Sequence, residues 1–255
     1  MNDFTLGMRD FVAIAALLAG APAWAGSYSV SPTRISLNAK AITDVITITN
    51  QGDTPLRIQV TTHHWRQTPE SNMVLEDTQD IVIFPTLVEI GPKEARALRV
   101  GSAIPFGDTE GTYRIQITEL PALKADGSVG LQMLTRANVP VFLSPAERAP
   151  KGAIAAATVV AGQLQVTAAN TGNVTVTVQE VSAAGTRADG SPFVVKAEGW
   201  YVLPDATQVY TLDLPAADCP LLRGLDLRLL TTDGTWSGMA SVTPEQCGPA
   251  AAAGP

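Results

Sequence analysis

Val129, Leu131, Met133, Thr135, Ala137, Val139 and Val141 recur at every second position of one run. Side chains of an extended strand point alternately to opposite faces, so this spacing places all seven on one face. The same period recurs at Ser29 to Leu37, Asp44 to Thr49, Leu56 to Arg66, Ile81 to Phe84, Ala95 to Val100 and Tyr113 to Leu120. Beyond residue 150 it returns at 163–168, 174–181, 200–203, 208–214 and 225–230, and the alanine-rich stretch 153–160 reads as an opening strand. The three-to-four spacing of an amphipathic helix is nearly absent. A chain of this kind is all-β, with strands of sandwich length.

Turn chemistry divides the runs. Asn50 to Pro55, Gly91-Pro92, Asp126-Gly127, Asn170 to Asn173 and Asp233-Gly234 supply the residues that reverse a chain between strands. Ser144 to Gly152 has the proline-rich polar composition of a linker. The sequence therefore predicts a first β-sandwich over residues 26–145, seven strands in all, and a second over 146–247. Residues 248–255, only alanine, glycine and proline, have nothing to bury or pair and are expected to be a disordered tail.

Residues 1–25 are excluded from the fold. Phe11 to Leu18 is an apolar run too short to span a bilayer, and Ala23-Trp24-Ala25 is a small-x-small cleavage site. Its leading segment is only weakly basic, with Arg9 offset by Asp3 and Asp10. The expectation is an exported chain cleaved after Ala25, with no membrane insertion. Without those three charged residues the formal charge of −7 becomes −6, which argues against a nucleic-acid binder and for protein partners.

Cys219 and Cys247 lie 28 residues apart, and an oxidising compartment makes an intramolecular disulfide the leading reading. A metal site is the rival reading. The only histidines, His63 and His64, are adjacent, so on one strand they face opposite sides and do not converge on an ion. No nucleophile elbow, zinc spacing, glycine-rich phosphate loop or carboxylate pair in a recognisable context is present, so no enzymatic activity, metal or cofactor is expected.

Asp108-Thr-Glu110-Gly-Thr-Tyr113 followed by Glu119-Leu-Pro121 resembles the signature of the periplasmic chaperones of the chaperone-usher pilus pathway. Val30 to Arg34, Val45 to Asn50, Pro85, Leu98-Arg99-Val100, Leu131-Gln132-Met133 and Val141 to Pro145 extend the resemblance over nearly all of the first domain. The resemblance implies two immunoglobulin-like sandwiches in an L or boomerang arrangement. It also implies periplasmic binding and capping of pilus subunits, which lack their last strand, and delivery to an outer-membrane usher. The chaperone donates its last domain-one strand. Val129, Leu131, Met133 and Thr135 are the donor candidates on that comparison, although any final sandwich strand also turns an apolar face to its own core.

Family members hold a subunit's terminal carboxylate between an arginine on the first strand and a lysine on the last. Arg34 matches the arginine, whereas Pro140 stands at the lysine's place. Arg136, on the same strand face as Pro140, and Arg99 are the candidates for the missing charge, with a solvated strand cation as the plain alternative for each. An exposed apolar edge also allows two free copies to cap one another. The competing reading is a non-enzymatic extracytoplasmic binding protein, for carbohydrate or as a surface-structure component.

Overall fold

The computed structural model describes residues 28–68, 70, 72–121 and 133–248. Its first domain contains β1 (Tyr28–Ser31), β2 (Ile35–Leu37), β3 (Thr43–Asn50), β4 (Leu56–Gln67), β5 (Met73–Asp77), β6 (Ile81–Phe84), β7 (Leu87–Ile90), β8 (Ala95–Ser102), β9 (Gly111–Leu120) and β10 (Arg136–Leu143). One sheet has the order β1-β3-β8-β6; the other runs β2-β10-β9-β4-β5, with β7 also on β4. Between them lies a core in which Ile35, Leu37, Ile46, Ile48, Ile58, Leu98, Ile115, Ile117 and Val141 are fully buried. Each comes from the apolar face of an alternating run, as the period requires.

The first run, expected as one strand from Ser29 to Leu37, is two. Pro32 has no N–H to contribute to a ladder, and around it the chain crosses from β1 in one sheet to β2 in the other. The strands β5 and β7 were not legible in the sequence. Of the last run, described only from Met133, the strand begins at Arg136, and the expected start at Val129 lies outside the described residues.

The second domain holds β11 (Gly152–Val160), β12 (Gln163–Asn170), β13 (Val176–Thr186), β14 (Pro192–Glu198), β15 (Tyr201–Val202), β16 (Thr207–Asp213), β17 (Gly224–Thr231) and β18 (Gly234–Ser241). A sheet β11-β12-β16 packs on a sheet β14-β13-β17-β18, with β15 on β13. Both domains are immunoglobulin-like sandwiches. Among the described residues no helix is long and apolar enough to cross a membrane. Cys219 and Cys247 form a disulfide that ties two short 3-10 turns at the end of this domain.

The two domains repeat one turn. Asn50 donates to the carbonyls of Thr54, Ile90 and Gly91 and accepts from the Gly52 N–H. Asn170 donates to Val174 and Val202 and accepts from Gly172. Each asparagine is buried and replaces the ladder bonds lost where its strand ends.

Candidate functional site

β10 has two different edges. On one side all eight of its residues pair with β9, from Arg136 opposite Thr118 to Leu143 opposite Gly111. On the other side only Val141, Phe142 and Leu143 are paired, in parallel with Ile35, Ser36 and Leu37 of β2. Among the described residues nothing pairs with Arg136 to Pro140 on that side. An open edge followed by a closed one is a template for an added strand, with its stopping point set by β2.

The faces of β10 differ as well. Ala137, Val139, Val141 and Leu143 turn into the first domain's own core. Upstream the character changes: Met133 is 89% exposed and Leu134 45% exposed. Thr135 is half-buried and tied to Glu119, whose N–H donates to the Thr135 carbonyl at 3.0 Å and whose carboxylate accepts from the Thr135 N–H at 3.1 Å. Of the four donor candidates, Met133 thus offers an uncovered apolar side chain, and Val129 and Leu131 lie outside the described residues.

Phe142 turns the other way, into a small cluster with Trp65 and with Leu203 and Tyr201 of the second domain. Tyr201 meets Trp65 edge-on at 5.5 Å between ring centroids and Phe142 at 5.9 Å. This aromatic wedge joins the domains. Arg34, just before β2, is half-buried against it, its guanidinium carbon 4.3 Å from the centre of the Phe142 ring and 6.0 Å from that of Tyr201. It forms no ion pair among the described residues.

The two proposed stand-ins for the lysine are placed elsewhere. Arg99 is in β8, opposite Val45 and Phe84, with Leu98 and Val100 beside it turned into the core. It therefore faces solvent on the far side of the sandwich from β10, a correction to the expectation that it shares a site with Arg34. Arg136 is exposed at the start of β10, four residues or roughly 13 Å of strand from Pro140.

Sequence reasoning missed Arg114. In β9 it lies directly opposite Pro140. It is only 4% exposed, stacked over Trp65 at 3.8 Å, with Tyr201 at 5.6 Å and Trp200 at 5.8 Å. Its Nη1 makes one long contact, 3.5 Å, to the Asn138 carbonyl, and its Nε and Nη2 have no partner among the described residues. Burial brings its pKa down to about 10, and Tyr201 opposes that shift, so it remains a cation at neutral pH. Only strand register reveals it, since directly opposed residues share a face.

Glu110 and Glu119 hold geometry. Glu110 N–H donates to the Asn173 carbonyl and its carboxylate accepts from the Thr175 N–H, both at 2.8 Å, linking first domain to second. The Tyr113 hydroxyl donates to the Asp80 carboxylate at 3.1 Å.

Residues 27–149 match the family of pili and flagellar-assembly chaperones, PapD N-terminal domain. Among solved structures the chain is similar to the chaperone-tip adhesion subunit pre-assembly complex from archaic chaperone-usher Csu pili of Acinetobacter baumannii. The identity is 16% with a TM-score of 0.58, over 84% of this chain and 98% of that one. It is also similar to the CupB2 chaperone of Pseudomonas aeruginosa, at 16% identity and TM-score 0.51 over 84% and 100%. For the chaperone DraB of E. coli the values are 18% and 0.51, over 83% and 95%. Among curated proteins none matches the sequence.

Proposed function

We propose, from a chain whose first domain belongs to the pili and flagellar-assembly chaperones, that it acts in the periplasm by capping pilus subunits through strand addition along β10. The observation that carries this is the half-open edge. Arg136 to Pro140 lack a neighbour on one side among the described residues, exposed Met133 and Leu134 precede them, and β2 closes the edge at Val141. A subunit missing a strand has unpaired backbone groups and an open apolar groove. A guest strand satisfies both, and each aliphatic side chain it buries contributes roughly 1.5 to 3 kcal/mol before ordering costs. Val129, Leu131, Met133 and Thr135 supply the plugs, and an outer-membrane usher receives the capped subunit. Arg34 stands where the open edge ends, placed for the carboxylate of a strand that terminates there.

The test is co-expression with subunit candidates encoded beside this gene, followed by affinity purification and mass spectrometry. A small β-sandwich protein recovered in equal amount is expected, and Leu131→Asp abolishes its recovery while leaving the free chain folded. Arg34→Ala weakens capture by on the order of 2 to 5 kcal/mol. Recovery of the chain alone, beside well-expressed candidates, rejects the reading.

A further inference from the structure

We infer that Arg114 is the second cation of the carboxylate site, and that it forms with Arg34 a pair straddling Pro140. The inference rests on the strand-addition reading. Pro140 is opposite Arg114 in the β9–β10 ladder, and Val141 is opposite Ile35 in the β10–β2 ladder. Continuing that parallel register by one residue sets Arg34 beside Pro140. The three strands thus present Arg34, Pro140 and Arg114 in one row on one face, with the arginines about 10 Å apart across neighbouring strands. Both guanidiniums lie within 6.0 Å of the Tyr201 ring. A donor is missing from position 140 and present on either side of it.

Arg114 is built to receive an anion that the described residues do not supply. Stacking on Trp65 fixes the plane of its guanidinium, and two of its nitrogens are buried without an acceptor. The indole Nε1 of Trp65, the ring beneath it, is a third buried donor without one. Groups of this kind are rare in folded proteins because each forfeits its hydration. A carboxylate accepts two parallel bonds from one guanidinium and bridges readily to a second. Its source follows from the topology: a strand added to the open edge of β10 meets β2 beside this row, and a chain that ends there carries a terminal carboxylate.

The probes are a peptide of about 12 alternating valine and threonine residues with a free C-terminal carboxylate, and the same peptide as its amide. Binding to the full chain is followed by calorimetry. The acid form is expected to bind roughly tenfold more tightly than the amide or better. Arg114→Met removes that preference, and Pro140→Lys in the Arg114→Met background restores it. Thermal unfolding separates this role from a structural one: an arginine kept for an absent anion can be replaced by methionine with no loss, or a gain, in the melting temperature of the free chain. A lowered melting temperature with the acid preference intact overturns the inference. Equal binding of acid and amide by the unaltered chain also overturns it and leaves strand addition standing. Failure of both peptides to bind removes strand addition and the carboxylate site with it.

Discussion

Tyr28, Tyr113 and Tyr210 are each less than 9% exposed, yet each hydroxyl reaches an acceptor, the Ile117 carbonyl, the Asp80 carboxylate and the Trp200 carbonyl respectively. Burial is the main cause that raises all three phenols above the ordinary value, and for Tyr113 the Asp80 carboxylate adds to it. A phenol whose pKa is raised by folding binds its proton more tightly in the native state. Its contribution is complete below the ordinary value of about 10 and is lost as pH rises past it, by about 1.4 kcal/mol per pH unit for each fully shifted group. Arg114 has the opposite sign, because its lowered pKa makes the native state release a proton first between about 10 and the usual arginine range. Three tyrosines outweigh one arginine, so urea stability is expected to be level to roughly pH 9.5 and then to fall. Tyr113→Phe and Tyr210→Phe each flatten that fall, and a slope indifferent to both substitutions contradicts the assignment.

Strands were legible in the sequence where one face is buried and the other wet. β12 and β17 bury every second residue along their whole length, and β4 does so from Leu56 to Val60 and β8 at Leu98 and Val100. β5 has no fully buried residue, so its sequence carries no alternation, and β18 is built of glycine, serine, threonine and alanine around Trp236 and Met239. Neither has a periodic signal to read. The site residues differ in the same way. Arg34 stood out in a short motif, whereas Arg114 matters through its opposite number on β10, and the long link between β9 and β10 hides that register from the sequence. The edges of β10 lead to a prediction at this scale. In hydrogen exchange, β9, enclosed between β10 and β4, is expected to be slowest, while peptides covering Arg136 to Val139 retain fast-exchanging amides on the unpaired side. Subunit binding protects those amides and leaves β9 unchanged. Protection confined to the other sheet would move the binding surface away from β10.

Between the domains, polar and apolar contacts divide the work. Asn173 donates to the carbonyls of Asp108 at 2.7 Å and Glu147 at 2.9 Å, accepts from the Ala149 N–H at 2.7 Å, and offers its own carbonyl to Glu110. Across the interface Gln67 donates to the Tyr201 carbonyl and accepts from the Leu203 N–H, both at 2.8 Å, beside the wedge of Trp65, Phe142 and Tyr201. The second domain therefore forms part of the site, because Tyr201 lies against both arginines and Trp200, 48% exposed, lies beside Arg114. Loosening the hinge should weaken capture without touching β10 or either cation. Asn173→Ala leaves three backbone groups to find water and costs about 1 to 3 kcal/mol. Gln67→Ala opens the other side. In the double variant, calorimetry is expected to resolve two unfolding transitions in place of one, each sandwich keeping its own core, and subunit recovery in co-expression should fall. A single unshifted transition with full recovery would mean that the aromatic wedge alone sets the domain angle. Phe142→Ala, which takes away the ring shared by the wedge and Arg34, then becomes the substitution that separates the domains.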